Sequence, residues 1–313
     1  MVESLVEVAP GWVVVAAVLL GLMALVGACV DGALAAHSDR RSMLAGVGKP
    51  IWETARLLRQ RRRVLVASDP LLWRVGGAGL LVVALLMVVV VPFGRWTVAD
   101  LSVGVAWFNA MDVMVWALVW LTGWGANSAH GLVGGHRFLA QALSYELPLM
   151  FALTAPAVAA GSLRVSDVVV AQQGLWFAVW MPVAFLVFCA SVLAFSVWGP
   201  FSPAAGGDIA GGVLTELSSV DRFLVLAGRY ALLAAGAAFA VPMFLGGGSG
   251  PFGPEWVWTF LKTAVLLAAF IYIRRLLPAV RPDRLVEAAW VIGLPVVLLQ
   301  VLFVSLVSLG GGL

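Results

Sequence analysis

The sequence predicts an all-α polytopic membrane protein with eight transmembrane helices, and three observations lead there. Hydrophobic residues make up 62% of the 313-residue chain and charged residues 11%, whereas a soluble domain carries roughly 25% charged residues. Mean hydropathy is correspondingly high, at +1.03. The apolar runs are about 20 residues long, the length a helix needs to cross a bilayer. They lack the two-residue alternation of a membrane β-strand and are about twice its length. No stretch between them could build a soluble core of its own, so residues 1–313 read as a single integral membrane domain.

In order, the spans fall at residues 12–34, 72–92, 103–121, 138–160, 175–198, 223–245, 256–277 and 288–309. Trp12, Trp73, Trp124, Trp176, Trp198, Trp256 and Trp290 stand at their ends, where an amphipathic ring suits the headgroup level. Span one follows acidic residues, Glu3 and Glu7, and is too long for a secretory signal, so it reads as an uncleaved helix.

Basic residues divide unevenly between the loops. The first loop and its flanks hold Arg40, Arg41, Lys49, Arg56, Arg59, Arg61, Arg62, Arg63 and Arg74; the other odd loops add Arg137, Arg222, Arg274, Arg275, Arg281 and Arg284. Even loops hold Arg95 and Arg164. The positive-inside rule then places the odd loops in the cytoplasm and both termini outside. Within loop one, KPIWETARLLRQRRR gathers Ile51, Trp52, Ala55 and Leu58 on one helical face, the pattern of a helix lying in the interface.

Chemistry-bearing residues are few. Cys29 and Cys189 both lie in apolar runs, so neither a disulfide framework nor a thiolate metal site is expected. His130 and His136 read as loop residues flanking span four, unsuited to holding a haem. The small net charge of +3 gives no reason to expect nucleic acid. The loop GPFSPAAGGDIAGGVLTELSSVDRF carries Asp208, Glu216 and Asp221 on an otherwise basic face; with no GK[ST] run, nucleotide binding is rejected.

Four ionisable residues are read inside the spans: Asp112, Glu146, Arg229 and Lys262. Each costs about 3 kcal/mol to insert, so each should face a partner or a polar path. Counted from the span ends, Glu146 and Arg229 lie at similar depth, roughly 10 to 12 Å, as do Asp112 and Lys262 to within about 5 Å. Two ion pairs are therefore expected, with a proton or polar-ligand path as the equal alternative. Pro148, two residues past Glu146, removes a backbone hydrogen bond beside it.

Several motifs occur in one register: KPIWETARLL in loop one, VPFG at 91–94, GWGANSAHGLVGGHRFLAQALSYELPL at 123–149, GSLRVSDVV at 161–169 and TFLKTAVLLAAFIYIRRLLPAVRPDRL at 259–285. Together they resemble the H subunit of NADH-quinone oxidoreductase, called subunit 1 in the mitochondrial enzyme. The resemblance implies an eight-helix subunit that joins the peripheral redox arm of complex I to its antiporter-like, proton-pumping membrane subunits. It also implies that the chain shapes part of the quinone chamber and the start of a proton path without a redox centre of its own. Quinone would be a substrate of the complex, with NAD and iron-sulfur clusters in partner subunits. By position, Glu53 and Arg56 match the Asp and Lys of the family's loop-one helix, Glu146 the Glu of its SYE, and Glu216 the Glu of its TEYSG.

The departures fall around the expected quinone chamber. AAHSDRRSM stands where the family has GRxGPNRVGP, GPFSPAAGGD where it has RPPFDLPEAESE, and Arg229 where it has the Glu of AEY. The candidates for chamber or proton path are thus Glu53, Arg56, Asp112, Glu146, Asp208, Glu216, Arg229 and Lys262. An anchor subunit of an energy-converting hydrogenase-type complex, without a working quinone site, is the alternative. A stand-alone transporter is disfavoured, because no internal repeat is visible.

Overall fold

The structure, a computed structural model, describes residues 6–63 and 65–310; Glu3, used above to read the N-terminus, lies outside them. A turn at Pro10–Trp12 leads into α1 (Val13–Ser38), which runs a turn past the expected end of span one. Two short helices follow, α2 (Met43–Val47) and α3 (Lys49–Arg59). In α3, Ile51, Trp52 and Leu58 face outward as expected of an interfacial helix, while Leu57 is fully buried and anchors it to the bundle. Asp69 caps α4 (Pro70–Val88), accepting from the backbone N–H groups of Leu71 and Leu72 at 2.9 and 3.2 Å. Pro70 suits the first turn, where no intrahelical donor is needed.

Two-residue strands, β1 (Val6–Glu7) and β2 (Trp96–Thr97), pair in parallel across the end of the bundle where α1 begins. Beyond them runs α5 (Gly104–Gly125). Its successor, α6 (Ala129–Ala160), starts nine residues before the expected span because Ser128 caps it, accepting from Gly131 N–H at 3.2 Å. His130 and His136 therefore belong to its first turns, which corrects their reading as loop residues. Gly161, at φ +63°, ends the helix in the left-handed conformation that glycine adopts without strain.

The expectation of one continuous fifth span, 175–198, is corrected. After α7 (Val165–Val170), the single turn α8 (Phe177–Trp180) stops at Met181, whose φ of −120° and ψ of 50° leave the helical region, and Pro182 opens α9 (Pro182–Phe195). Proline supplies no N–H and pushes its predecessor out of the α conformation. Phe177 and Met181 are buried in protein, the setting in which irregular backbone at membrane depth is tolerated. Among the described residues, seven helical runs are long and apolar enough to cross a membrane, and α9 is a shorter apolar helix.

The chain continues through short 3₁₀ turns to α10 (Ser219–Phe244), α11 (Glu255–Leu276) and α12 (Pro282–Ala288). A π-turn at Ala289–Gly293 joins α12 to α13 (Leu294–Leu309), so the last helical run begins earlier than the expected residue 288. α10 is central, packing on α1, α4, α9 and α11. Phe239 of α10 stacks on Phe108 of α5 at 3.8 Å, with Phe188 and Phe195 of α9 beside them. A Cβ on Gly76 of α4 would lie 2.3 Å from Thr122 Oγ1. Lacking one, Gly76 lets α4 and α5 approach closely, as small residues do between membrane helices.

Candidate functional site

On the basic side of the bundle, the first loop grips the acidic loop. Arg63 pairs with Glu216 at 2.9 Å, its own N–H donates to Ser218 Oγ at 2.7 Å, and Arg62 lies 3.4 Å from Asp221. Arg137 of α6 pairs with Asp208 at 2.6 Å, and the Ser219 N–H donates to Gln60 Oε1. An acidic loop on a basic face is thus accounted for, because each of its acids has an arginine.

Glu53 and Arg56 bind each other along α3 at 2.5 to 2.8 Å. The hydrogen bond from Arg56 holds the Glu53 carboxyl below the ordinary carboxylate range, and the nearby charges of Arg222 and Lys49 act in the same direction. Asp208 is lowered likewise, chiefly by the hydrogen bond from Arg137.

The two expected intramembrane ion pairs do not form. Lys262 donates to the carbonyl oxygens of Leu245, Gly247 and Ser249 at 2.7, 2.9 and 2.8 Å and lies 4.4 Å from the Trp176 ring centroid. Positive φ at Gly246 and Gly247 folds this segment back just past the C-terminus of α10. There the helix dipole also favours a cation. Arg229 donates through Nη2 to the Val197 carbonyl and stands 5.4 Å from the Trp198 ring, against which Arg274 also lies at 4.5 Å and Tyr230 packs edge-on at 4.7 Å. The space lined by Arg229, Leu80, Val119 and Val213 measures about 10 Å³, room for about one water.

The depth count failed because α6 begins at Ala129. Glu146 is then roughly 25 Å along its helix and Arg229 roughly 15 Å along α10, both counted from the basic side. Glu146 instead meets Asp112 of α5. The two carboxyls lie within hydrogen-bonding reach of each other. Asn109 Nδ2 donates to Glu146 Oε1 at 3.0 Å, and the Tyr145 hydroxyl donates to Asp112 Oδ1 at 3.3 Å. Asp112 is fully buried and Glu146 is 9% exposed.

Of the eight candidates, then, the fold joins Asp112 with Glu146 and Glu53 with Arg56; it ties Asp208 and Glu216 to arginines and holds Arg229 and Lys262 on carbonyls.

Sequence reasoning missed Asn109 and Tyr145, though Asn109 precedes Asp112 by three residues and so shares its helical face. It also missed Asp31, an acid inside the first span. Asp31 accepts from Arg274 at 2.9 Å, Arg275 at 2.7 Å and the Tyr230 hydroxyl at 3.1 Å, tying α1 to α10 and α11.

A helical bundle with an amphipathic helix in its basic first loop, and acids enclosed between its central helices, defines a polytopic membrane protein. The sequence model for the NADH dehydrogenase family matches residues 11–305. The second H subunit of NADH-quinone oxidoreductase from Geobacter sulfurreducens is 36% identical over 268 residues, covering 82% of each chain. The first H subunit from Geobacter metallireducens is 35% identical with the same coverage. The second H subunit from Syntrophobacter fumaroxidans is 32% identical over 277 residues, covering 85% of this chain and 84% of its own. The chain belongs to this family, that of the H subunits of NADH-quinone oxidoreductase.

Proposed function

We propose that the chain is the membrane-arm subunit of a complex I-like NADH-quinone oxidoreductase, linking a peripheral redox arm to proton-translocating membrane subunits. It contributes to the quinone chamber and takes its place in the cell membrane with the basic loops cytoplasmic and both termini outside. What carries this reading is family membership along nearly the whole chain together with Glu146, the SYE glutamate, enclosed beside Asp112. An ionisable residue at membrane depth marks a transport path by default. The face formed by α3, Arg62, Arg63 and the 3₁₀ turns is the docking surface for quinone-module subunits, which bring the iron-sulfur clusters and, beyond them, the NAD site. Antiporter-like subunits pack along the bundle.

Mild detergent extraction with a tagged chain tests this. Flavin- and iron-sulfur-containing subunits and antiporter-like subunits should co-purify, with NADH-quinone reductase activity in the complex and none in the isolated chain. Co-purification with hydrogenase subunits alone would favour the second reading, an anchor without a quinone site. That reading has its own support in Arg229, a cation that fills the position where the family has a glutamate.

A further inference from the structure

Asp112 and Glu146 leave two oxygens unaccounted for. Tyr145 supplies Asp112 Oδ1 and Asn109 supplies Glu146 Oε1, but Asp112 Oδ2 and Glu146 Oε2 are buried and receive no donor among the described residues. The basic side chains that might have neutralised them are held elsewhere, Lys262 on three carbonyls and Arg229 on Val197. Among the described residues, the titratable groups facing the pair are each other and Tyr145.

An ionised carboxylate can only accept, so two ionised groups here would set four acceptors and two negative charges against two donors. Like charges in contact do not both ionise, and a buried acceptor left without a donor costs about 1 to 3 kcal/mol. One proton placed between the two carboxyls gives both free oxygens a partner and removes one charge.

We propose that Asp112 and Glu146 form a proton-sharing carboxyl dyad, a proton-storage site inside the bundle, with Asp112 as its inner half. Asn109 and Tyr145 are positioning residues that fix the outward oxygens so that the other two converge. Glu146 keeps slight exposure while Asp112 has none, so Glu146 is the port and Asp112 the store. Loading takes a second proton from hydronium, breaking one hydronium O–H bond to leave water and forming one O–H bond on a carboxyl, so the dyad goes from net charge −1 to 0. Unloading returns that proton to water, with no electron transferred.

This deepens the proposed function and rests on it for the direction of proton flow, though not for the dyad itself. Infrared difference spectroscopy on the full chain in lipid nanodiscs, titrated in H₂O and D₂O, tests it. A carboxylic acid band should titrate and shift in D₂O. Asp112→Asn and Glu146→Gln should each abolish that same band, and the double variant should remove nothing more. Separate bands whose losses add in the double variant would overturn the dyad. If either amide variant fails to fold, Tyr145→Phe serves: losing its donor to Asp112 should move the band, and an unmoved band overturns the arrangement. The same variants in the assembled complex report on the wider reading. NADH-driven proton translocation that persists undiminished in Asp112→Asn, while the band is lost, refutes the role in transport and leaves the dyad standing.

Discussion

Lys262 and Arg229 are cations inside the bundle whose hydrogen bonds go to main-chain oxygens. Their charges are met by carbonyl dipoles at helix and loop ends, and neither donates to Asp112 or Glu146. Because Arg229 and Glu146 sit on separate networks, their mutational effects should be independent. A double-mutant cycle of Arg229→Ala and Glu146→Gln, read as thermal stability of the detergent-solubilised chain, should add to within about 0.5 kcal/mol. A larger interaction energy would mean that the two touch. Asp31 carries a different expectation. With two arginines and a tyrosine on one carboxylate, and hydrogen bonds to charged groups contributing roughly 1.5 to 3 kcal/mol, Asp31→Ala should destabilise the chain by about 2 kcal/mol. A change below the error of the melting curve would assign that junction to apolar packing alone.

At the scale of elements, α3 and the acidic loop give a pH dependence whose sign follows from the lowered carboxyls of Glu53 and Asp208. A group whose folded pKa is depressed adds stability that is present above its unfolded value. That stability is lost as pH falls through the folded value. Amide protection over residues 49–63 and 203–216, taken relative to the intrinsic exchange rate at each pH, should therefore be high at pH 7 and fall as pH drops below about 4, the ordinary carboxylate range. These surface pairs are also screened by salt, so high ionic strength should move protection in the same direction. Protection that ignores both pH and salt would leave Leu57 as the anchor of α3. The break at Met181 is set by Pro182; the Met181 N–H already donates to Phe177 O at 2.7 Å, so if Pro182→Ala lets α8 and α9 join, new amide protection should appear at 182.

For the whole molecule, the proposed orientation rests on the basic loops, which the fold gathers at one end with the ion pairs Arg63–Glu216 and Arg137–Asp208. Arg164 at the other end pairs with Asp100. Cysteines placed at the exposed positions Ser42 and Ser249 should react with a membrane-impermeant thiol reagent from the cytoplasmic and outer sides respectively. The opposite labelling would invert the molecule and move the proposed docking face with it. Because α13 and α1 are largely exposed in the isolated chain, they are the surfaces left for lipid or for neighbouring membrane subunits.

Composition and apolar run length by themselves determined that the chain is a membrane helical bundle, because without water only closed backbone hydrogen bonding survives in lipid. The motifs around GWGAN and SYE determined the family, and the KPIWETARLL pattern determined an interfacial helix. Boundaries were less legible: the Ser128 cap lengthened α6, and Pro182 broke the fifth span. Partners were not legible at all. Depth along a helix can be counted from sequence, but which way a side chain faces around the helix axis depends on how the helices pack. Glu146 and Arg229 looked matched in depth, yet tertiary packing turned Glu146 to Asp112 and Arg229 to Val197. The carboxyl dyad belongs to the tertiary structure, because it exists only where α5 and α6 lay their polar faces together.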